Sequence, residues 1–489
     1  MHDVNPLLLT DGYKLGHRIQ YPPNTTMVYS NWTPRGSRLP NIDKVVVLGM
    51  QYFVKRYLMD MFNRGFFNRP KIEVVSEYKA YYEKYLGTPC PTEHIEALHD
   101  LGFLPLIIKS LPEGVSCPLR VPMLTVHNTR DDFFWLTNYI ETLMSSVLWQ
   151  FSTSATIAKR FRDTMKRYLE DTDPESMWFL DWQCHDFSMR GMSGVDSGLS
   201  SGAGHAASFH GSDTFPVMWF LSKYYKADIR TEDLVIGSVP ATEHSVMCAG
   251  GQDSESETFQ RLMDTYPAGV LSVVSDTWDL WKVLTEILPE NKPQIMRRDG
   301  KLVIRPDSGD PVKIVCGDPN AEPGTPEFKG VVELLWDEFG GELTSKGFKR
   351  LDSHVGCIYG DSITLDRAER ICQGLAAKGF ASSNVVLGVG SFTYQFNTRD
   401  VFMFAMKATA AIVDGKLHEL EKDPVTDNGI KKSLCGFLRV VREDGELVCY
   451  DHQHSSQINS GELRTIFCDG KLIVNDNWAT IRARIANDE

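Results

Sequence analysis

The sequence predicts an α/β chain: an irregular α/β barrel over residues 151–394, with a second, smaller α+β domain built from both chain ends, 1–150 and 395–489. Three observations carry this. Between residues 178 and 391, apolar runs end repeatedly in polar, often glycine-containing loops. Most of these units recur at roughly 25 to 32 residues, the length of one strand–loop–helix repeat. Outside that region the pattern changes to short strands, hairpin turns and long helical stretches.

In chain order, residues 5 to 30 form a polar arm with one prominent aromatic, Tyr13, and a turn at Tyr21-Pro22-Pro23-Asn24-Thr25. Residues 44–63 read as a strand running into a helix. Leu104–Ile108 and Pro122–Val126 read as strands of a small sheet. Asp132–Arg162 is helical, with apolar residues at helical spacing from Phe134 to Val147. The barrel units then begin. Their strands are Met177–Leu180 leading to His185-Asp186-Phe187, the segment ending at Gly211-Ser212-Asp213, Leu234–Pro240, Val270–Asp276, Leu302–Asp307, His354–Asp361 and Asn384–Ser391. The interval from Asp307 to Asp361 is longer and holds a Pro- and Gly-rich insertion. Ser275 or Asp276 is placed to cap a helix bearing Trp278, Trp281, Leu284 and Leu288. Thr325 with Pro326 starts a helix that Gly340 stops, and another runs from Leu365 to Ala376. Glu443-Asp444-Gly445-Glu446 and Asp469-Gly470 are turns.

Polar residues gathered at strand C-termini are what an α/β barrel uses for its active site. The open doubly wound sheet is the alternative, and no switch point is visible for it. Gly388-Val389-Gly390 lacks the third glycine and the acidic partner of a dinucleotide fingerprint.

Composition narrows the function. Hydrophobic residues make up 42% and charged residues 24%, ordinary for a soluble globular protein. The formal net charge of -13 argues against nucleic-acid binding but leaves room for a local basic pocket. No signal peptide or membrane-spanning run is read. The ten scattered cysteines suit reduced thiols in a cytoplasmic protein, and no zinc motif is present.

The motifs that carry chemistry are Asp11-Gly12-Tyr13-Lys14, His185-Asp186-Phe187-x-x-Arg190-Gly191, Gly211-Ser212-Asp213-Thr214, Ser238-Val239-Pro240-x-x-Glu243-His244-Ser245, Val274-Ser275-Asp276, Ile304-Arg305-Pro306-Asp307-Ser308-Gly309 and Gly360-Asp361. In order and spacing, over nearly the whole chain, they resemble the nicotinamide phosphoribosyltransferases, of the type II phosphoribosyltransferase family. That resemblance implies a barrel of the type II kind and a pentosyl transfer. Nicotinamide attacks C1 of 5-phosphoribosyl-1-pyrophosphate, giving nicotinamide mononucleotide and pyrophosphate for NAD salvage. The pyridine nitrogen is already nucleophilic, so the site must position the ring and stabilise charge.

The resemblance also implies residue roles. Phe187 stacks on one face of the base and Tyr13 on the other, from the partner subunit of a homodimer with shared active sites. Asp213 accepts the carboxamide hydrogen bond and repels nicotinate, whose acid is ionised. Ser238, Val239, Ser272 and Asp11 fall at further substrate-contacting positions. Arg305 reaches base and sugar-phosphate, and Asp307 the ribose hydroxyls. Arg190, Arg35, Arg399 and Lys407 meet phosphate, which the planar arginine fork suits. Backbone N–H groups of Gly360 and of the loop at Gly390 and Ser391 approach the 5′-phosphate, and Asp361 bonds at the ribose. His244 is phosphorylated by ATP, with Glu243 and Asp276 orienting its ring, and Mg2+ accompanies the pyrophosphate.

Some positions depart from the family pattern. The loop expected as Gly-Ser-Gly-Gly-Gly reads Gly388-Val389-Gly390-Ser391-Phe392, a serine of the phosphate site is Ala405, and the basic loop after Lys422-Asp423-Pro424 is shorter, leaving Lys431 and Lys432 both open for its role. The alternatives are a nicotinate phosphoribosyltransferase, a non-catalytic binding protein on the same scaffold, and another phosphosugar enzyme on a barrel.

Overall fold

The structure is a computed structural model that describes residues 4–230, 234–421 and 434–487. It contains two compact units. The first comprises residues 4–156, 220–227 and 397–487, and the second residues 157–219 and 228–396, each within its described range.

The first unit is built on an antiparallel sheet. Its strands lie in the order Lys416–Glu419, Ala405–Val413, Thr25–Thr33, Leu124–Asn128, Leu106–Ser110, Arg464–Cys468 and Lys471–Leu472. Both chain ends therefore contribute strands. Trp32, fully buried, stacks on Phe404 with ring centroids 5.3 Å apart, which ties the N-terminal strand to the C-terminal segment. The hairpin Phe437–Glu443/Glu446–Gln453 turns at Asp444 and Gly445, both with positive φ, the backbone of a type I′ turn. Asp414-Gly415 and Asp469-Gly470 share that pair of positive φ values. Phe220 and Tyr224, from the segment 220–227, pack on Tyr52 and Phe151 in this unit's core.

In the second unit, a parallel sheet runs in the order Cys184–Asp186, Val385–Val389, Val355–Tyr359, Leu302–Arg305 and Leu271–Val274. These strands are almost wholly buried, as a parallel sheet covered on both faces demands. Isolated parallel bridges continue it: Asp186 to Ser212, Gly211 to Gly237 and Ala241 to Ser272. The ladder thereby returns from Cys184–Asp186 through residues 211–212 and 237–241 to Leu271–Val274, closing an irregular barrel.

Several local expectations are corrected. The apolar run at Met177 is not a strand but part of the 3-10 helix Pro174–Trp182, started by a proline and leaving Trp178 73% exposed. The helix after Val274 is capped by Asp279, whose carboxylate accepts from the Trp281 and Lys282 N–H groups, rather than by Ser275 or Asp276. Asp276 is engaged elsewhere. The helix expected from Pro326 to Phe339 is two, Pro326–Lys329 and Val331–Phe339, broken at Gly330, whose φ of 78° sets the bend. Leu365–Ala377 forms as expected, capped by Thr364.

Candidate active site

The C-terminal ends of the barrel strands surround an open pocket of about 700 Å³. Phe187, Met189, Arg190, Asp213, Thr214, Ala241, Thr242, Glu243, Val246, Arg305, Asp307 and Gly360 line it. Its position follows from the local sequence. The strands Leu271–Val274, Leu302–Arg305 and Val385–Val389 are short runs rich in β-branched and aliphatic residues, and Leu302–Arg305 is stopped by Pro306-Asp307-Ser308-Gly309, which cannot continue pleating.

At one side Phe187 presents its ring, with His185 against it at 4.8 Å between centroids. Gly388 makes this possible: a Cβ there would lie 2.7 Å from the Phe187 ring and 2.8 Å from the Gly360 Cα. Asp213 stands nearby. Its Oδ1 accepts from His185 Nε2 at 2.8 Å and from the Ser238 hydroxyl at 2.5 Å. Burial works against its charge, yet these two donors and the Arg305 guanidinium outweigh it and hold the carboxyl below its usual pKa. An ionised acceptor therefore faces a partly apolar cavity.

Arg305 reaches into the same cavity. Its Nη2 donates to the Thr242 carbonyl at 2.6 Å, while its buried Nε has no hydrogen-bond partner. Burial lowers its pKa, with Asp307 and Asp213 acting in the opposite direction. A buried guanidinium N–H without a partner is costly unless a ligand accepts it.

Beyond Arg305 the site becomes acidic. Asp276 Oδ2 accepts from the Asp307 N–H at 2.9 Å and the Ser308 hydroxyl at 2.6 Å, while its buried Oδ1 has no hydrogen-bond partner. Burial first, and then the carboxylates of Asp361, Asp276, Asp307 and Asp310, push the Tyr359 pKa upward. His244, half-exposed, places Nε2 4.0 Å from both Asp276 and Asp307, and its Nδ1 lies 3.1 Å from the Thr277 hydroxyl. Glu243 does not touch that ring; its carboxylate accepts from Ser245. Thr277, which adjoins Asp276 and was not among the expected residues, is the group within hydrogen-bond distance of the ring, with Asp276 on its other nitrogen at 4.0 Å.

The pocket gathers Phe187, Arg190, Asp213, Glu243, Arg305, Asp307 and Gly360 from the expected set. Gly360 lies in the pocket wall. Its N–H donates to the Pro306 carbonyl at 3.3 Å, and its missing Cβ makes room for the Asp307 carboxylate, which would lie 2.7 Å from it. Ser272 is buried in the barrel with a hydroxyl that has no partner. Gly390 caps the short helix Ser391–Tyr394, and Asp361 is exposed just past its strand. Ser238 and Val239 follow the bridge residue Gly237.

The remaining expected residues belong to the first unit. Tyr13 is 63% exposed, with its ring edge on His17. Asp11 accepts from the Thr142 hydroxyl at 2.7 Å. Arg35 donates to the Met403 carbonyl, Arg399 is held near Asp400, and Ala405 and Lys407 lie on one sheet strand. The loop holding Lys422, Lys431 and Lys432 lies outside the described residues. His185, Met189, Thr214, Ala241, Thr242 and Val246 were not named as site residues. Five of them lie inside the motifs quoted above, His185 and Thr214 as named members and Met189, Ala241 and Thr242 at x positions, and Val246 directly follows one.

Among the described residues no helix is long and apolar enough to cross a membrane.

Residues 182–471 match the model of the nicotinate phosphoribosyltransferase (NAPRTase) family, and residues 5–83 match the nicotinamide phosphoribosyltransferase N-terminal domain. The chain is 51% identical to a nicotinamide phosphoribosyltransferase of Acinetobacter baylyi, over 99% of this chain and 97% of that one. It is 35% identical to one of Mycoplasma pneumoniae, over 88% and 94%. Among solved structures it resembles a nicotinate-nucleotide pyrophosphorylase from Pyrococcus furiosus, with a TM-score of 0.59 at 14% identity over 99% of this chain and 95% of that one. Human nicotinic acid phosphoribosyltransferase gives 0.54 at 17% identity over 98% and 93%. At those identities the likeness is one of fold.

Proposed function

The chain belongs to the nicotinamide phosphoribosyltransferase family, phosphoribosyl-transferring enzymes of pyridine-nucleotide biosynthesis, and from that premise we propose that it joins nicotinamide to 5-phosphoribosyl-1-pyrophosphate. One observation carries the choice of base. An ionised Asp213, fixed at one oxygen by two donors, stands in a pocket lined by the Phe187 ring. A carboxamide N–H satisfies its free oxygen, whereas a pyridine carboxylate brings a second negative charge to it. Like charges about 4 Å apart repel by about 4 kcal/mol at an effective dielectric near 20.

In this reading the pyridine ring lies on Phe187, and offset stacking adds about 1 kcal/mol beyond area burial. The Arg305 Nε–H, unpartnered in the pocket wall, takes an acceptor oxygen of the substrate. Asp307 accepts from the ribose hydroxyls, next to the C1 centre where positive charge develops as pyrophosphate leaves. No general base is assigned, because the ring nitrogen has its lone pair at neutral pH.

The donor set suits Mg2+. Asp276 carries a buried oxygen with no hydrogen-bond partner and Asp307 a second carboxylate, both hard oxygen ligands. These two would hold the ion, which when bound neutralises charge on the pyrophosphate. ATP stimulation through phosphorylation of His244 is part of the same proposal. The ring is half-exposed, and Thr277 fixes one nitrogen. A cytoplasmic homodimer, with the exposed Tyr13 of one subunit completing the base site of the other, completes the reading.

The test is product analysis by mass spectrometry with nicotinamide, 5-phosphoribosyl-1-pyrophosphate and Mg2+, in parallel with pyrophosphate release. Equal amounts of nicotinamide mononucleotide and pyrophosphate support the reading, and Asp307→Asn should lose both together. Pyrophosphate released without a nucleotide product would sink it.

A further inference from the structure

His185 lies behind the base pocket rather than in its wall. The strand Cys184–Asp186 points its imidazole toward Asp213, and its side chain is only 10% exposed. Because Asp213 is an acceptor held ionised, the nitrogen that meets it, Nε2, must carry the proton. The Ser238 hydroxyl donates to the same Asp213 oxygen. Two donors on Oδ1 fix the plane of the carboxylate and leave Oδ2 as the oxygen with free lone pairs.

Room for this ring is built into the chain. Gly211 sits beside it, and a Cβ there would lie 2.9 Å from His185 Nδ1. The far face of the imidazole packs on Phe187 at 4.8 Å. One side chain thus touches both groups proposed to grip the base, without lining the cavity itself. Resting on the proposed nicotinamide reading, we propose that His185 is a positioning residue for base selection. Its Nε2–H turns Asp213 so that Oδ2 meets the carboxamide and stands opposed to a pyridine carboxylate.

A residue without a donor would let the carboxylate rotate. A donor that holds one oxygen of an ionised Asp213 gives orientation together with repulsion, and both are needed to separate an amide from an acid of the same shape.

The test compares two side chains with the same amide at different reach. In His185→Gln the Nε2–H group extends to about where the imidazole Nε2 stands, whereas in His185→Asn it stops short. The full chain is assayed with nicotinamide and with nicotinate, reading kcat and KM separately and checking each variant's Tm. His185→Asn should raise the nicotinamide KM about tenfold with a smaller change in kcat, and should lower the nicotinamide-to-nicotinate ratio of kcat/KM by about tenfold. His185→Gln should restore most of both. On an Asp213→Asn background, His185→Asn should add little, since the two act as one unit. Equal ratios in the Gln and Asn variants, or a ratio in His185→Asn like that of the native chain, would overturn the inference while leaving the reaction intact. If either variant fails to fold, Ser238→Ala takes its place, with a lowered ratio expected and an unchanged one counting against the carboxylate's fixed orientation. A native chain that converts no nicotinamide would overturn the underlying reading, a result distinct from an unmoved ratio in an active enzyme.

Discussion

Replacing Asp213 by Asn changes one atom and should change the enzyme's preferred base. The side chain keeps its shape, and its carbonyl oxygen still accepts from His185 and Ser238, which hold Oδ1 at 2.8 and 2.5 Å. The other position becomes an NH2 group facing the cavity. For nicotinamide, a charge-assisted hydrogen bond contributing about 1.5–3 kcal/mol is lost, so kcat/KM should fall about 10- to 150-fold. For nicotinate, a repulsion bounded at about 4 kcal/mol disappears and a donor appears in its place. Solvent in the open pocket screens part of that. The nicotinamide-to-nicotinate ratio should therefore fall by about 10²- to 10⁴-fold, nearly all of it in KM. The assay is initial-rate formation of the two mononucleotides, separated by liquid chromatography, with Tm confirming an intact fold. A variant that loses activity on nicotinamide but keeps the native ratio would refute the reasoning, because it would make Asp213 a structural group with no part in selection.

Other expectations concern the same site and the fold around it. Arg305→Lys should lower kcat/KM about 30-fold or more, since an ammonium cannot supply the unpartnered Nε–H and the Thr242 bond together; activity within threefold of native would argue against substrate contact. Gly388→Ala forces a methyl group against Phe187 and should raise the nicotinamide KM about tenfold with a modest loss of Tm, and an unchanged KM would mean that Phe187 does not hold the base. Thr277→Val frees the His244 ring and should reduce stimulation by ATP several-fold while ATP-independent turnover stays within about twofold; equal losses in both would place Thr277 in the transfer step instead. Burial pulls the His94 pKa down from 6.5 to about 3, so the unfolded chain binds a proton there that the folded chain refuses. Its contribution is complete above pH 6.5 and is lost as pH falls towards 3, about 2 kcal/mol by pH 5. In His94→Phe the Tm difference between pH 7.5 and pH 5 should shrink, and an unaltered difference would show that His94 does not set the acid limb.

The barrel was legible because parallel strands buried on both faces read as continuous apolar runs, and each stopped at a polar loop. Leu302–Arg305 and Val385–Val389 stand where those runs placed them. The run at Met177 misled because apolar content alone does not separate a strand from a short helix, and Pro174 decided for the helix. The segment ending at Gly211-Ser212-Asp213 and Leu234–Pro240 read as barrel strands, but they pair only through isolated bridges, short of full strands, and it is these bridges that close the ring.

At the site, residues lying inside long motifs were found by type: Asp213, Arg305 and Asp307 all face one pocket. What the sequence could not convey was partnership. Asp276 reads as a helix cap by position, yet its carboxylate accepts from the backbone of Asp307, 31 residues on. Glu243 precedes His244 directly and so reads as its partner, but Glu243 is the extended cap residue of the helix His244–Cys248 and its carboxylate accepts from Ser245, while Thr277 reaches the ring from another loop. Gly360 reads as a phosphate-binding N–H; in the fold that N–H meets the Pro306 carbonyl, and the absence of a Cβ leaves space for Asp307.

The central claim is that this pocket selects a neutral pyridine amide for transfer to the ribosyl centre. The direct measurement is a competition: equal concentrations of nicotinamide and nicotinate, with limiting 5-phosphoribosyl-1-pyrophosphate and Mg2+, and both mononucleotides quantified from one reaction. Nicotinamide mononucleotide in at least hundredfold excess is the predicted result, corresponding to about 2.7 kcal/mol of discrimination. Nicotinate mononucleotide as the major product would contradict it.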